Sequence, residues 1–367
     1  MGLARSWAIN DRQALASYLP EVSDVFMQGL ALNIGSSTLK FAGFTADAGT
    51  VRTTATERLS GADAEALERL GTRLGELKCE PDLVVHRIVH GGAALRQHCV
   101  IDATVIAQLL AATNLAPLHL RNALAAIHFA QLRFPRIPHM ACFDTAFHAN
   151  LPKRARTLPI SKNLREAGIE RYGFHGLSCA SIVRQLGNTL PKRLVIAHLG
   201  SGASVTAVEA GKSIDTSMGL TPSGGCIMAT RSGDLDPGVL IYLLHTRGLD
   251  AAGLDRMINQ QSGLLGISGL SGNMQTLHQH SVVNSDARLA IEMFCYSVQK
   301  QIAAMACALG GIDLLVFSGG IGEHDEIVRS HICAGLSWLG NFAVQALPAQ
   351  EELEMANIGV ALYRSAV

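Results

Sequence analysis

Residues 194–208, LVIAHLGSGASVTAV, decide how the chain is read. An apolar run leads into a tight turn carrying Gly200 and Gly202, and a second run of small and β-branched residues leaves it. That spacing predicts two strands joined by a turn. Ser201 and Ser204 are polar and no bulky side chain stands at the turn, so backbone N–H groups there can approach an anion closely. The pattern returns at residues 30–44, LALNIGSSTLKFAGF, with Gly35, Ser36, Ser37 and Lys40 at the turn. A third apolar strand, residues 314–317, runs into Ser318, Gly319, Gly320, Ile321 and Gly322, followed by Glu323. One strand with a glycine turn is weak evidence. Two related hairpins and a third glycine turn predict a duplicated fold that grips one polyphosphate from several sides.

The chain has 367 residues, a length that suits two ordinary domains. It is 48% hydrophobic and 16% charged, which supports a large core and excludes general disorder. Thirty basic and thirty acidic residues balance to a formal charge of zero, so nothing electrostatic favours nucleic acid or an anionic membrane as partner. No apolar run approaches the roughly 18 residues of a membrane-spanning helix. No basic segment followed by an apolar core opens the chain, so no signal peptide is expected. The eight cysteines are scattered without a CxxC pair, which points to reduced thiols in the cytoplasm. Fourteen histidines show no HExxH or other metal spacing.

Residues 1–28 read as a leader, with Trp7, a short helix near residues 11–18, and Met27 as a second candidate start. Strands are expected at 30–33 and 39–44, a helix at 62–77, a strand at 83–85, helices at 101–112 and 121–134, and a strand at 140–143 ending on Asp144. Pro135, Pro138, Pro152 and Pro159 punctuate the middle, and residues 149–154 are the expected crossing between domains. Helices follow at 178–187, 237–246, 253–260, 285–309 and 351–363, the longest stopped by Gly310 and Gly311. The alternation predicts an α/β protein. The domains are expected at residues 29–148 plus 352–367 and at residues 149–351.

Four polar clusters stand where strands end, the place where open α/β sheets hold ligands. In His86-Arg87-Ile88-Val89-His90-Gly91-Gly92, Arg87 either offers a planar fork to a carboxylate or phosphate, or pairs with a structural acid. In Phe143-Asp144-Thr145-Ala146-Phe147-His148, Asp144 suits a Mg²⁺ ligand, a base or a helix cap. Arg171-Tyr172-Gly173-Phe174-His175-Gly176 sets His175 between glycines, where it serves a cleft or the core. Residues 229–237, ATRSGDLDP, hold Arg231 and two acids, or simply a charged loop with an N-cap. Gly211-Lys212-Ser213 imitates the tail of a P-loop, but Thr206 stands where its first glycine is required, so a hairpin turn is expected there.

Taken together and in order, HRIVHGG, APLH, FDTAFH, RYGFHG, HLGSG, DTSMGLTP, ATRSGDLDP, SGLLG and GGIGE resemble the acetate kinase family. The resemblance runs from Leu30 to Gly322, with a shorter match at Glu351-Glu352-Leu353. It implies the sugar-kinase and actin-like ATPase superfamily: two duplicated domains, each a mixed sheet flanked by helices, with the active-site cleft between them. It implies reversible phosphoryl transfer from ATP to acetate, giving acetyl phosphate and ADP, with Mg²⁺ or Mn²⁺, in a homodimer. The neighbouring readings are a propionate or butyrate kinase, the same chemistry from pyrophosphate or another nucleotide, and a non-catalytic nucleotide-binding regulator.

Carried over by position, the resemblance implies that Arg87 holds the substrate carboxylate, while Val89, Leu118 and Pro222 line a small apolar pocket. Asp144, Asn33 and Glu351 would organise the metal. His175 and Arg231 would contact the transferring phosphoryl group, with His119 nearby. Lys40, His198, Leu199, Gly200, Ser201 and Gly202 would cradle the nucleotide together with Gly319, Gly320, Ile321, Gly322 and Glu323. The chain departs from the family pattern in places. Ser201 replaces an amide, Leu120 ends PLHL where PLHN is usual, and His324 follows GGIGE. Gly272 and Met274 stand where an Asp and an Arg are expected beside the nucleoside, and the segments 40–86 and 323–351 are short.

Overall fold

The computed structural model describes residues 26–35, 38–76 and 80–366. The leader helix near residues 11–18 and the turn residues Ser36 and Ser37 lie outside them. The chain divides into two units. The first ends at Ala146 and resumes at Gln350, and the second is Phe147–Ala349. Glu351, expected at the end of the second domain, therefore belongs to the first unit.

In the first unit, β1 (Met27–Ile34), β2 (Thr38–Asp47) and β3 (Thr50–Ser60) form an antiparallel meander. β4 (Leu83–Ile88) and β6 (His139–Phe143) extend it in parallel, and β5 (Cys99–Val100) closes the far edge, giving the order β3-β2-β1-β4-β6-β5. Buried strand residues alternate between two helical layers. Val84, Leu30 and Leu32 join a core with Leu70 and Leu74 of helix Ala64–Gly75 and with Ala126 and Ala130 of helix Pro117–Arg133. Leu83 and Val85 face the other way, onto Gly359 of the C-terminal helix Glu351–Ala366.

In the second unit, β7 (Arg193–Leu199), β8 (Ala203–Glu209) and β9 (Lys212–Thr216) make an antiparallel meander, and β10 (Leu314–Ser318) and β11 (Ala343–Ala346) extend it in parallel. The order is β11-β10-β7-β8-β9. Read from β9, this is the order β3-β2-β1-β4-β6 of the first unit, so the duplication read from the glycine turns is present in the strand topology. Leu194, Ile196, Leu314 and Val316 pack on Cys179 and Ile182 of helix Gly176–Leu186. The long helix Ser285–Leu309 packs against β7, β8 and β9 and ends at Gly310, whose φ of +69° favours glycine.

The expected helices stand within a few residues of their predicted bounds. The glycine turn after β10 is instead a short helix, Gly319–His324. β3, β9, β11 and helices Gly263–Ser268, Met274–His280 and Glu326–Ala334 were not anticipated. Among the described residues, no helix is long and apolar enough to cross a membrane.

Candidate active site

Each unit gathers polar groups at the C-terminal edge of its parallel strands. In the first, Asn33 and Arg87 are the penultimate residues of β1 and β4, and Asp144 follows β6 directly. Because these strands are parallel neighbours, the three side chains meet. Glu351 and Glu352 arrive from the first turn of the C-terminal helix. Arg87 Nε donates to both Asp144 oxygens at 3.1 Å, and Nη2 donates to Oδ2 at 2.7 Å. Arg87 Nη1 donates to Asn33 Oδ1 at 3.0 Å and stands 3.5 Å from Glu351 Oε2. Asn33 Nδ2 donates to Glu351 Oε2 at 3.1 Å and to Glu352 Oε1 at 2.7 Å, and Lys40 Nζ lies 3.7 Å from Glu352 Oε1.

Burial governs this cluster. It works against the charge on Arg87, but Asp144 and Glu351 outweigh it and hold the guanidinium pKa above its ordinary value. For Asp144, burial raises the pKa, Arg87 opposes without cancelling it, and Glu351 adds a little. The two readings of Arg87 thus converge: its structural acid is the candidate metal ligand.

In the second unit, His175 precedes helix Gly176–Leu186 in the left-handed conformation, with φ +58°. A non-glycine residue held there costs on the order of 1–3 kcal/mol, a strain that collects at functional sites. Its Nδ1 lies 2.9 Å from Ser204 Oγ. His198, near the end of β7, has Nδ1 2.8 Å from Ser178 Oγ. The two rings stack at 4.2 Å between centroids and 31° between planes. A methyl group on Gly202 would stand 3.2 Å from His175 Nε2 and 3.4 Å from Arg231 Nη1. One on Gly319 would stand 3.2 Å from His198 Nε2 and 2.7 Å from the Leu199 carbonyl. The turn at Gly200–Gly202, the turn at Gly319, both histidines and Arg231 therefore share one locus. Arg231 Nη1 is anchored on the carbonyl of Pro222 at 2.8 Å and on Met228 Sδ at 3.6 Å.

Other expected residues fall as follows. Val89 and Pro222 are buried, each in its own unit, and His119 is half-buried in the first turn of helix Pro117–Arg133. The side chain of Leu118 lies outside the described residues. Leu199 is buried, Ser201 and Gly320 are exposed, and Gly322 is buried. Glu323 Oε1 accepts from the N–H groups of Gly319 and Ala349, so it braces the turn from within. Asp234 and Asp236 serve the backbone, accepting from Gly225 and Gly238. His86 and His139 pair with each other at 3.0 Å, and His90 accepts from Gly92.

Sequence reasoning missed Glu352, which anchors Asn33, and the serines behind the two histidines; Ser204 was visible only as a polar turn residue. A methyl on Gly272 would stand 2.7 Å from the Ala229 carbonyl, and Met274 is buried. Neither position can present a side chain to a nucleoside, whereas Asn273 and Gln275 of the same segment are exposed.

Comparison with known proteins bears on these two clusters. The profile of the Acetokinase family matches residues 18–351. An acetate kinase of Thermosynechococcus vestitus is 45% identical over 275 residues, 73% of this chain and 66% of that relative, just under two thirds of its length. An acetate kinase of Shewanella sp. (strain ANA-3) is 40% identical over 337 residues, 83% of this chain and 84% of the relative. Among solved structures, a propionate kinase from Francisella tularensis superposes with TM-score 0.83 at 34% identity, over 92% of this chain and all of that one. The acetate kinase of Porphyromonas gingivalis gives 0.78 at 31% identity, over 92% of this chain and 99% of the other.

Proposed function

The chain belongs to the Acetokinase family, and from that premise we propose that it is a cytoplasmic phosphotransferase moving a phosphoryl group reversibly between ATP and acetate. The observation that carries this reading is the convergence of Asn33, Arg87, Asp144 and Glu351 on one sheet edge. A carboxylate acceptor is ionised near neutral pH, so it needs no general base. The obstacle is the approach of one anion to another. Arg87 holds the acid, and in the second unit Arg231, His175 and the N–H groups around Gly202 take the charge of the transferring group. Alignment of the reactants supplies much of the rest.

Asp144, Glu351 and Asn33 form a hard oxygen donor set. Two carboxylates are what Mg²⁺ uses when phosphates and water fill its other positions. Among the described residues no group of three or more His, Cys, Asp or Glu is placed to hold a metal ion by itself. These residues fit the ion, which when bound would neutralise phosphate charge as a Lewis acid. Asp144 then organises the metal rather than abstracting a proton.

The likeness to a propionate kinase favours a second reading, a slightly longer acid as acceptor. One methylene in an apolar pocket shifts preference by only about 1–3 kcal/mol. A homodimer is proposed too, supported by Val239, Ile241 and Tyr242, exposed on helix Pro237–Thr246. Light scattering tests it, and a monomeric mass refutes it.

The deciding experiment traps acyl phosphate as a hydroxamate with ATP, Mg²⁺ and acetate, with propionate, butyrate and pyrophosphate in parallel. Turnover with ATP and acetate is expected. A higher kcat/KM for propionate or butyrate would replace acetate as substrate, and activity only with pyrophosphate would replace ATP. No turnover with any pair would leave a nucleotide-binding regulator.

A further inference from the structure

Behind the two histidines of the second unit stand two buried hydroxyls. Ser178 is the third residue of helix Gly176–Leu186, and Ser204 is the second residue of β8. Ser204 Oγ lies 2.9 Å from His175 Nδ1, and Ser178 Oγ lies 2.8 Å from His198 Nδ1. Either the ring N–H donates to the hydroxyl, or the hydroxyl donates to a bare ring nitrogen. The two cases differ in the fate of the serine proton, because a buried O–H requires an acceptor. Among the described residues, the ring nitrogen is the side-chain partner that each hydroxyl has. Were that nitrogen protonated, the serine proton would be left without an acceptor in a dry place, the costly arrangement.

We propose that Ser204 and Ser178 are positioning residues that donate to Nδ1 and so fix His175 and His198 as neutral Nε2–H tautomers. The Nε2 atoms face the two glycine turns, 3.2 Å from where a methyl would sit on Gly202 and on Gly319. The pair therefore presents two fixed N–H donors beside two backbone turns, an arrangement suited to phosphoryl oxygens. Rings stacked at 4.2 Å repel if both are charged, and two neutral donors avoid that. The link to a phosphoryl group rests on the kinase reading; the tautomers do not.

Two-bond ¹H–¹⁵N correlation on the full chain with ¹⁵N-labelled histidine reports the tautomers without turnover, the signals being assigned with His175→Gln and His198→Gln. Both rings should show a bare Nδ1 and a protonated Nε2. Ser204→Ala should move His175 toward a mixture of tautomers and lower kcat about tenfold with KM for the acid unchanged, the scale of losing an orienting partner. Ser204→Thr should restore both. Ser178→Ala, on a different element, should do the same to His198. A protonated Nδ1 in the wild type, or unchanged signals and kcat in Ser204→Ala, would overturn the proposal. The expected tautomers in a protein without turnover would uphold the serines and overturn the kinase reading.

Discussion

Arg87 commits its fork to Asp144, Asn33 and Glu351 as well as to any acid it binds. Removing it would raise the KM for the acid and would also strand a buried Asp144 carboxylate, and breaking a buried pair costs about 3–5 kcal/mol. Arg87→Ala should therefore lower stability, and Arg87→Ala with Asp144→Ala together should cost less than the sum of the two, with no return of activity. Denaturant unfolding of the four proteins of this cycle reads the coupling; additive losses would mean that the pair does not hold the cluster. Arg231 is anchored differently, on the Pro222 carbonyl and the Met228 sulfur. Arg231→Ala should lower kcat by roughly 10³-fold, the scale of an arginine that stabilises phosphoryl transfer, with a smaller loss of stability than Arg87→Ala. Near-normal turnover would remove it from the reaction.

Elements carrying a long apolar run or period were legible in the sequence, and exposed edge strands without one were hidden. Helices 237–246 and 285–309 were read to the residue. β3, TVRTTATERLS, is an edge strand exposed along nearly its whole length, so no apolar alternation marks it. β11 is exposed at every residue for the same reason. At residues 271–274 motif position gave no side-chain direction, which the helix that follows supplies. Helix Met274–His280 turns Met274 and Leu277 inward, while Gln275 stays outside. Met274→Ala should then cost about 2–5 kcal/mol of stability, as truncation of a buried methionine does. Gln275→Ala should leave stability unchanged. Thermal melts separate the two, and a large stability loss in Gln275→Ala would put that residue in the core.

At the scale of the molecule, the two glycine hairpins that suggested duplication became β1–β2 and β7–β8, the matching centres of two sheets with one strand order. His86, His98 and His139 are held neutral in the first unit and His148 in the second. Burial is the main cause in each, bringing His98, His139 and His148 down to about 4, with His139 adding to the effect on His86. In the unfolded chain these rings take up protons near pH 6.5. Between about 6.5 and 4 the unfolded state binds more protons, so stability falls as the pH falls, by up to about 1.4 kcal/mol per pH unit per ring. Asp144 and Asp215, both raised by burial, act in the opposite sense and offset part of that fall. Two of the lowered rings stand on the first sheet itself, His86 on β4 and His139 on β6, so the loss is read there. Native-state hydrogen exchange at pH 7 and pH 5, corrected for intrinsic rates, should show β4 and β6 amides losing protection free energy. Unchanged protection in β4 and β6 would mean that these histidines do not set the acid limit of the fold.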